Sequence, residues 1–492
     1  MQRLGSSDGI APPSQSSKGL LTATSSTDTG ASTAQSSRER FDMDSRVYRV
    51  YKRRFLGLGQ LVLLNIIVSW DWLSFAPIST TAAEFFDVSE SSVNWLSTGF
   101  LFAFVAIAPL VIWTLDKGGP RLSILASSAL VLLGNWIRYA GTRASPPRFG
   151  VVMFGQILIG LSQPFVLAAP TRYSNLWFSD QGRVSATAIA SLANPLGGAL
   201  GQLVSPLWAT NKSQIPNMIL YTSILSTIAT LPAPFIPASP PSPPSSLAAA
   251  EKLDIRQALS VLPKNTTFWL ILIPFAIYVG FFNATSSLLN QILSPYAFSE
   301  TDAGLAGALL ILIGLVSAAI ISPIIDRTKK YILTIKILVP LIATSYLALT
   351  FMPATRTVAG PWTVCAILGA TSFALLPCTL EYAALATHPV SPEITATVLW
   401  AMGQLLGGVF IVIMNALRGR WAGEPEGTMI RALIFQAVIA WTGVPFVIWL
   451  GRGKLKAGTE IQKDIPKLEI EYNRLGLDPL DNSWSCEAAP GA

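Results

Sequence analysis

Cysteine and histidine are scarce in this chain: among 492 residues there are three of the first and one of the second. Cys365, Cys378, Cys486 and His388 are too few and too scattered to form a disulfide scaffold or a zinc site, and no CxxC pair occurs. Charge is scarce too, at 12% of residues. Soluble proteins carry about 25%, so this chain cannot coat a set of water-soluble domains. A phosphate-cradling glycine loop is lacking, which argues against ATP as a direct energy source. So are clustered acids, a nucleophile with an adjacent base and any cofactor motif, and the expectation is therefore neither an enzyme nor a cofactor carrier. A net charge of +7 does not by itself imply a nucleic-acid partner, and none is expected. The Lys and Arg residues instead follow the borders of apolar runs.

Those runs dominate the sequence. Hydrophobic residues make up 51% of the chain, and about 20 helical residues at 1.5 Å each cross a hydrocarbon core of about 30 Å. Twelve such runs are found, at 55–78, 93–113, 122–139, 149–170, 184–208 and 218–236, then at 268–293, 303–325, 331–352, 361–382, 394–417 and 429–450. The expectation is an all-α integral membrane protein with twelve transmembrane helices in two six-helix bundles, residues 51–236 and 268–451. Residues 1–50 are rich in Ser and Thr and poor in large apolar groups, which predicts a disordered tail. They lack the apolar core of a secretory signal, so the first span is expected to act as its own anchor. Residues 237–267 open on PASPPSPPSS and continue into an amphipathic stretch, which predicts a linker carrying a short interfacial helix. Residues 452–492 form a second tail.

Lys and Arg concentrate in the segments that would be cytoplasmic if both termini are cytoplasmic, and this orientation is expected. Arg138, Arg143, Arg148, Arg418 and Arg420 run against it. The sequon at Asn211 then faces outward and the one at Asn265 inward. After the second span the chain reads LDKGGPRLS and after the eighth IDRTKKYIL, an acid followed by bases at equivalent points of the two halves. Asp116, Lys117, Gly119 and Arg121 resemble the loop signature of the major facilitator superfamily, with Asp326 and Arg327 as the second copy. The resemblance implies the major facilitator fold and a conformational role for these six residues. Physically, glycine permits the tight turn, while the acid and the bases can bridge the two bundles in one state and part in another.

Polar groups inside the spans are the candidate functional residues, because they are costly in hydrocarbon and face a partner or an aqueous path. Asp71, in VSWDWLSFAP, has no basic residue near it in sequence. Gln156 and Gln163 lie seven apart on one face of the fourth span; Asn283, Asn290 and Gln291 lie in the seventh, and Gln404 in the eleventh. For each amide an interhelical packing bond is the alternative. Gly197 with Gly201 and Gly403 with Gly407 are spaced for close helix contact. That contact can be static, or a surface along which the bundles slide.

Several separated runs carry a narrower resemblance. YKRRFLGL with WLSFAPIS, VNWLSTGF, GQILIGLSQPFVLAAPTR, ANPLGG and SSLLNQIL are similar in order and spacing to the solute carrier 49 family, that of the feline leukaemia virus subgroup C receptors (FLVCR). The resemblance implies alternating-access transport of a small organic solute. The tails show no clear acidic dileucine signal for delivery to a lysosome or vacuole, so the plasma membrane is expected, with a vacuolar or other internal membrane as the alternative, and a monomer is expected. Family substrates are choline and ethanolamine, with haem proposed and a pyridoxine-like vitamin for a relative. Trp72 matches a family tryptophan walling the choline site, and Gln163 and Gln404 match its glutamines. Where the family has a second aromatic residue this chain has Asn283, with Phe282 beside it but about 100° around the helix. Asp71 next to Trp72 can supply by charge what the missing ring supplied, so the expected substrate is a cationic or zwitterionic amine bearing a hydrogen-bond donor. Haem, a vitamin, or a receptor that senses without transporting are the alternatives. Haem fits poorly, since His388 is the only histidine.

Overall fold

The computed structural model describes residues 51–242, 262–387, 390–419 and 423–451; within these, the side chains of Asp116, Asp180, Gln181, Val184 and Asp326 lie outside the description. The two expected tails, the linker helix and His388 therefore also lie outside it. Thirteen α-helices follow in order among the described residues: α1 Arg54–Leu73, the short α2 Ser79–Phe86, α3 Glu90–Lys117, α4 Gly119–Arg143, α5 Phe149–Trp177, α6 Asp180–Trp208, α7 Ile215–Thr230, α8 Thr266–Leu293, α9 Glu300–Thr328, α10 Tyr331–Phe351, α11 Ala359–Ala386, α12 Pro392–Ala416 and α13 Ile430–Trp449.

Eleven helical segments are long and apolar enough to cross a membrane among the described residues. The expected fifth span is α6, whose 29 residues are long enough but less apolar. Its small and polar residues meet protein rather than lipid: Gly197 lies against the main chain of Ile66 in α1, and Gln202 donates to the Ser286 carbonyl of α8 at 2.6 Å. Helix starts follow local chemistry. The Ser299 hydroxyl accepts from Asp302 N while the Asp302 carboxylate accepts from Ser299 N, closing a capping box on α9. Asn265, read above as an inward-facing sequon, caps α8 by accepting from Thr267 N and Phe268 N, and donates to the Ala386 carbonyl. Asn211 is exposed and caps a single 3-10 turn between α6 and α7.

One packing pattern is built twice. In the first half α1 packs on α6, α3 on α5, α4 on α5 and α4 on α7; in the second, α8 packs on α12, α9 on α11, α10 on α11 and α10 on α13. The halves meet along two related seams, α6 against α9 and α3 against α12. Large apolar residues such as Trp113, Leu133, Ile320, Ile337 and Val438 point outward, as a lipid-facing surface requires. The small-residue pairs seat helices within a half, with a neighbour turned to the other half: Gly197 and Gly201 lie against α1 and Gly403 against α8, whereas Gly408 lies against Phe102 of α3.

Two expectations are corrected. The first span stops at Leu73 rather than at residue 78, and after a bend the chain forms α2, which the hydropathy pattern did not reveal. Arg138 does not belong to an outer positive loop; it lies inside α4, fully buried.

Candidate functional site

Trp72 sits one residue before the end of α1, 7% exposed, and stacks on Phe100 of α3 with ring centroids 6.1 Å apart and an interplanar angle of 18°. Gly160 of α5 lies against the Phe100 main chain, and Gln163 follows one turn later, 2% exposed. The Trp72 indole N–H and the Gln163 side-chain carbonyl are both buried without a hydrogen-bond partner in the protein. A buried polar atom left so costs about 1–3 kcal/mol, and a bound solute can repay it. These residues are the candidates that the first half offers for a solute-facing wall.

The second half contributes an amide pair. Asn283 Nδ2 of α8 donates to Gln404 Oε1 of α12 at 2.7 Å, and both residues are buried. Gly407 lies between them and the first wall: a Cβ there would stand 3.0 Å from Asn283 Cβ and 3.2 Å from Leu101 Cδ1. Phe100 and Leu101, consecutive on α3, thus touch Trp72 on one side and approach the Asn283 turn on the other. Of the sequence-predicted residues, Trp72 stacks on this turn of α3 and the Asn283–Gln404 pair lies beside it, while Gln163 lies one turn along α5 from the glycine packed on it. Phe282 is half-buried and meets Phe373 of α11 edge-on, centroids 5.4 Å apart.

The expectation for Asp71 as an uncompensated acid is corrected. Its Oδ1 accepts from Arg138 Nη1 at 3.0 Å, with both side chains essentially unexposed, and its Oδ2 accepts from Asn135 Nδ2 at 2.5 Å. Sequence could not show this, because Arg138 is on another helix. Gln156, the other candidate of the fourth span, donates from Nε2 to the Asp71 main-chain carbonyl at 3.1 Å.

A second cluster joins the halves at the end of the bundle where α1 finishes. Thr81 donates from N and Oγ1 to the two Glu300 carboxylate oxygens at 3.0 and 2.8 Å. Asn94 and Gln291 exchange bonds of 3.1 and 2.7 Å, Asn94 and Ser91 both donate to Asn415 Oδ1, and Asn290 donates to the Ser79 hydroxyl at 3.0 Å. Arg418 pairs with Glu90, which also accepts from Thr80. Asn290 and Gln291 were candidates for a solute path; here they bind across the seam. Arg418, an exception to the charge rule, has an acid as its partner. Thr81 had no signal in the sequence beyond the acids around it, whereas Asn94 and Asn415 fall just inside the ends of the runs 93–113 and 394–417 and carried only the weak signal of a polar residue at a span end.

The loop residues lie at the opposite end. Gly119 has a φ of +64°, a left-handed conformation that disfavours any side chain, so the turn between α3 and α4 needs this glycine. Lys117 ends α3, Arg121 is half-buried and Arg327 is exposed in the last turn of α9. The Asp116 and Asp326 side chains lie outside the description. Cys365 and Cys378 are free and buried.

A helical membrane protein whose two halves repeat one packing and meet along two related seams has the architecture of a transporter. Residues 61–412 match the profile of the Major Facilitator Superfamily. Solute carrier family 49 member A3 of Danio rerio is 32% identical over 415 residues, 82% of this chain and 85% of that one. Choline/ethanolamine transporter FLVCR1 of Mus musculus is 30% identical over 416 residues, covering 79% and 74%. In fold, the chain is similar to the crystal structure of a bacterial homologue of the human lysosomal transporter Spinster, inward-facing and unoccupied, with a TM-score of 0.62, 15% identity and coverage of 85% and 99%. The chain belongs to the major facilitator superfamily and, within it, to the solute carrier 49 family, whose members are transporters rather than enzymes.

Proposed function

We propose that this transporter carries a small ammonium solute with at least one N–H or O–H donor, of the ethanolamine type, by alternating access, as a monomer in the plasma membrane. The observations that carry this are the buried, unpartnered Trp72 indole N–H and Gln163 carbonyl in the first half and the Asn283–Gln404 amide pair in the second, with one turn of α3 touching Trp72 and approaching Asn283. An aromatic face attracts an ammonium by about 0.5–2 kcal/mol. The Gln163 carbonyl rewards a solute that can donate to it. Asp71 adds no net charge to this wall, because Arg138 cancels it, so amide oxygens and the ring together replace a carboxylate. The relatives named choline/ethanolamine transporters support the solute class. Asn283, in place of a second ring, favours the donor-bearing amine over a quaternary one.

With both termini cytoplasmic, the Glu300, Glu90–Arg418 and Asn94–Gln291 contacts tie the halves together at the outer face, which makes this an outward-closed state. The test is ligand-induced thermal stabilisation of the purified protein across choline, ethanolamine, pyridoxine and haem, wild type against Trp72→Ala, followed by flux into vesicles. Stabilisation by ethanolamine that Trp72→Ala removes supports the reading. Stabilisation only by haem or pyridoxine, or binding without flux, sinks it.

A further inference from the structure

We propose that Asp71 and Arg138 are positioning residues that hold Trp72 in place for the solute, an inference that rests on Trp72 being part of the binding wall. Asp71 is the residue before Trp72 and ties the end of α1 to two other helices. Arg138 and Asn135 of α4 occupy its two carboxylate oxygens. Its main-chain carbonyl, among the last of α1 and so without a full intrahelical partner, accepts from Gln156 of α5 at 3.1 Å and from the Ser74 hydroxyl at 2.9 Å. Arg138 Nη2 donates to the same Ser74 hydroxyl at 2.6 Å, and its guanidinium lies 5.3 Å from the centre of the Phe75 ring. One arginine therefore holds Asp71, Ser74 and Phe75 together, where α1 stops and the chain bends toward α2.

The geometry explains why a buried ion pair is kept in an apolar bundle. Such a pair adds little stability over an apolar replacement, because desolvation offsets the attraction, and its established use is to select one arrangement among several. Here the arrangement selected is the rotation of the last turn of α1. Asp71 and Trp72 point about 100° apart, so fixing the carboxylate on α4 aims the indole at Phe100. All members of the network, Asp71, Ser74, Phe75, Asn135, Arg138 and Gln156, belong to the first half. Rearrangement between the halves leaves it intact, and Trp72 keeps its aim in either state.

The experiment uses the full-length purified protein with Arg138→Lys, the neutral double variant Asp71→Asn/Arg138→Gln, and Trp72→Ala as reference. Ethanolamine is the probe, read by binding and by vesicle flux. The expected result is a weakened affinity and a raised KM for both variants, within the roughly 2- to 30-fold range that loss of the ring contact represents, with maximal rate near wild type. The double variant leaves no uncompensated charge, so it keeps the test open if Arg138→Lys fails to fold. Wild-type affinity in the folded double variant overturns the proposal, as does a fall in maximal rate at unchanged KM. A ligand-free readout separates this from failure of the solute reading: thiol labelling of Trp72→Cys with the native cysteines replaced, with and without Arg138→Lys. A several-fold change in labelling rate keeps the positioning role even if wild type binds no amine; an unchanged rate rejects it.

Discussion

Trp72 and Asn283 illustrate how single side chains set the chemistry of the proposed wall. Trp72→Ala removes the ring that stacks on Phe100, and ethanolamine affinity should fall by about 2- to 30-fold, measured by titration calorimetry. Trp72→Phe should lose less, since a ring face remains. Asn283→Tyr returns an aromatic residue to the position where the family resemblance places one and removes the donor to Gln404. It should move the preference from ethanolamine toward choline, measured as the ratio of their KM values; an unchanged ratio would remove Asn283 from the specificity argument. The sequence shows these residues as polar or aromatic exceptions in apolar runs. It misleads at Asp71, whose partner is 67 positions away, a distance over which one-dimensional spacing carries no information.

At the scale of elements, glycines decide how closely helices approach. At Gly197 a Cβ would collide with the carbonyl of Ile66, so Gly197→Leu should push α6 off α1 and destabilise the protein by about 1–3 kcal/mol or more, seen as a lowered thermal midpoint in detergent. At Gly59, in α1, nothing lies within 4 Å of the added carbon, and Gly59→Ala should leave the midpoint unchanged or raise it slightly. Gly119→Ala faces a different cost, strain of about 1–2 kcal/mol from a left-handed backbone, without any steric neighbour. Hydropathy and capping made the long helices legible. They failed at the end of α1, because apolar residues continue past Leu73 while Ser74 and Gln156 take the carbonyl of Asp71 and Arg138 holds the Ser74 hydroxyl. The linker region stays a sequence expectation.

At the scale of the whole molecule, one end of the seam is held by polar contacts, and the proposed alternating access requires them to separate. Thiol cross-linking of Ser91→Cys to Asn415→Cys, whose native side chains bond at 3.0 Å, should stop flux while ethanolamine binding survives from the other side. Full flux in the linked protein would rule this closure out as a gate. Glu300→Gln weakens the hold on Thr81 and should speed labelling of residues near Trp72 from that end of the bundle. The sequence by itself determined the class of molecule, since low charge and twelve apolar runs leave only a helical membrane protein, and its repeated loop acids announced two halves. Which polar groups face which was decided by the tertiary structure alone. Apolar length is summed along the chain and so can be read from it. Hydrogen bonds and ion pairs between spans depend on the rotation of each helix about its axis, which is set by packing against neighbours far away in sequence.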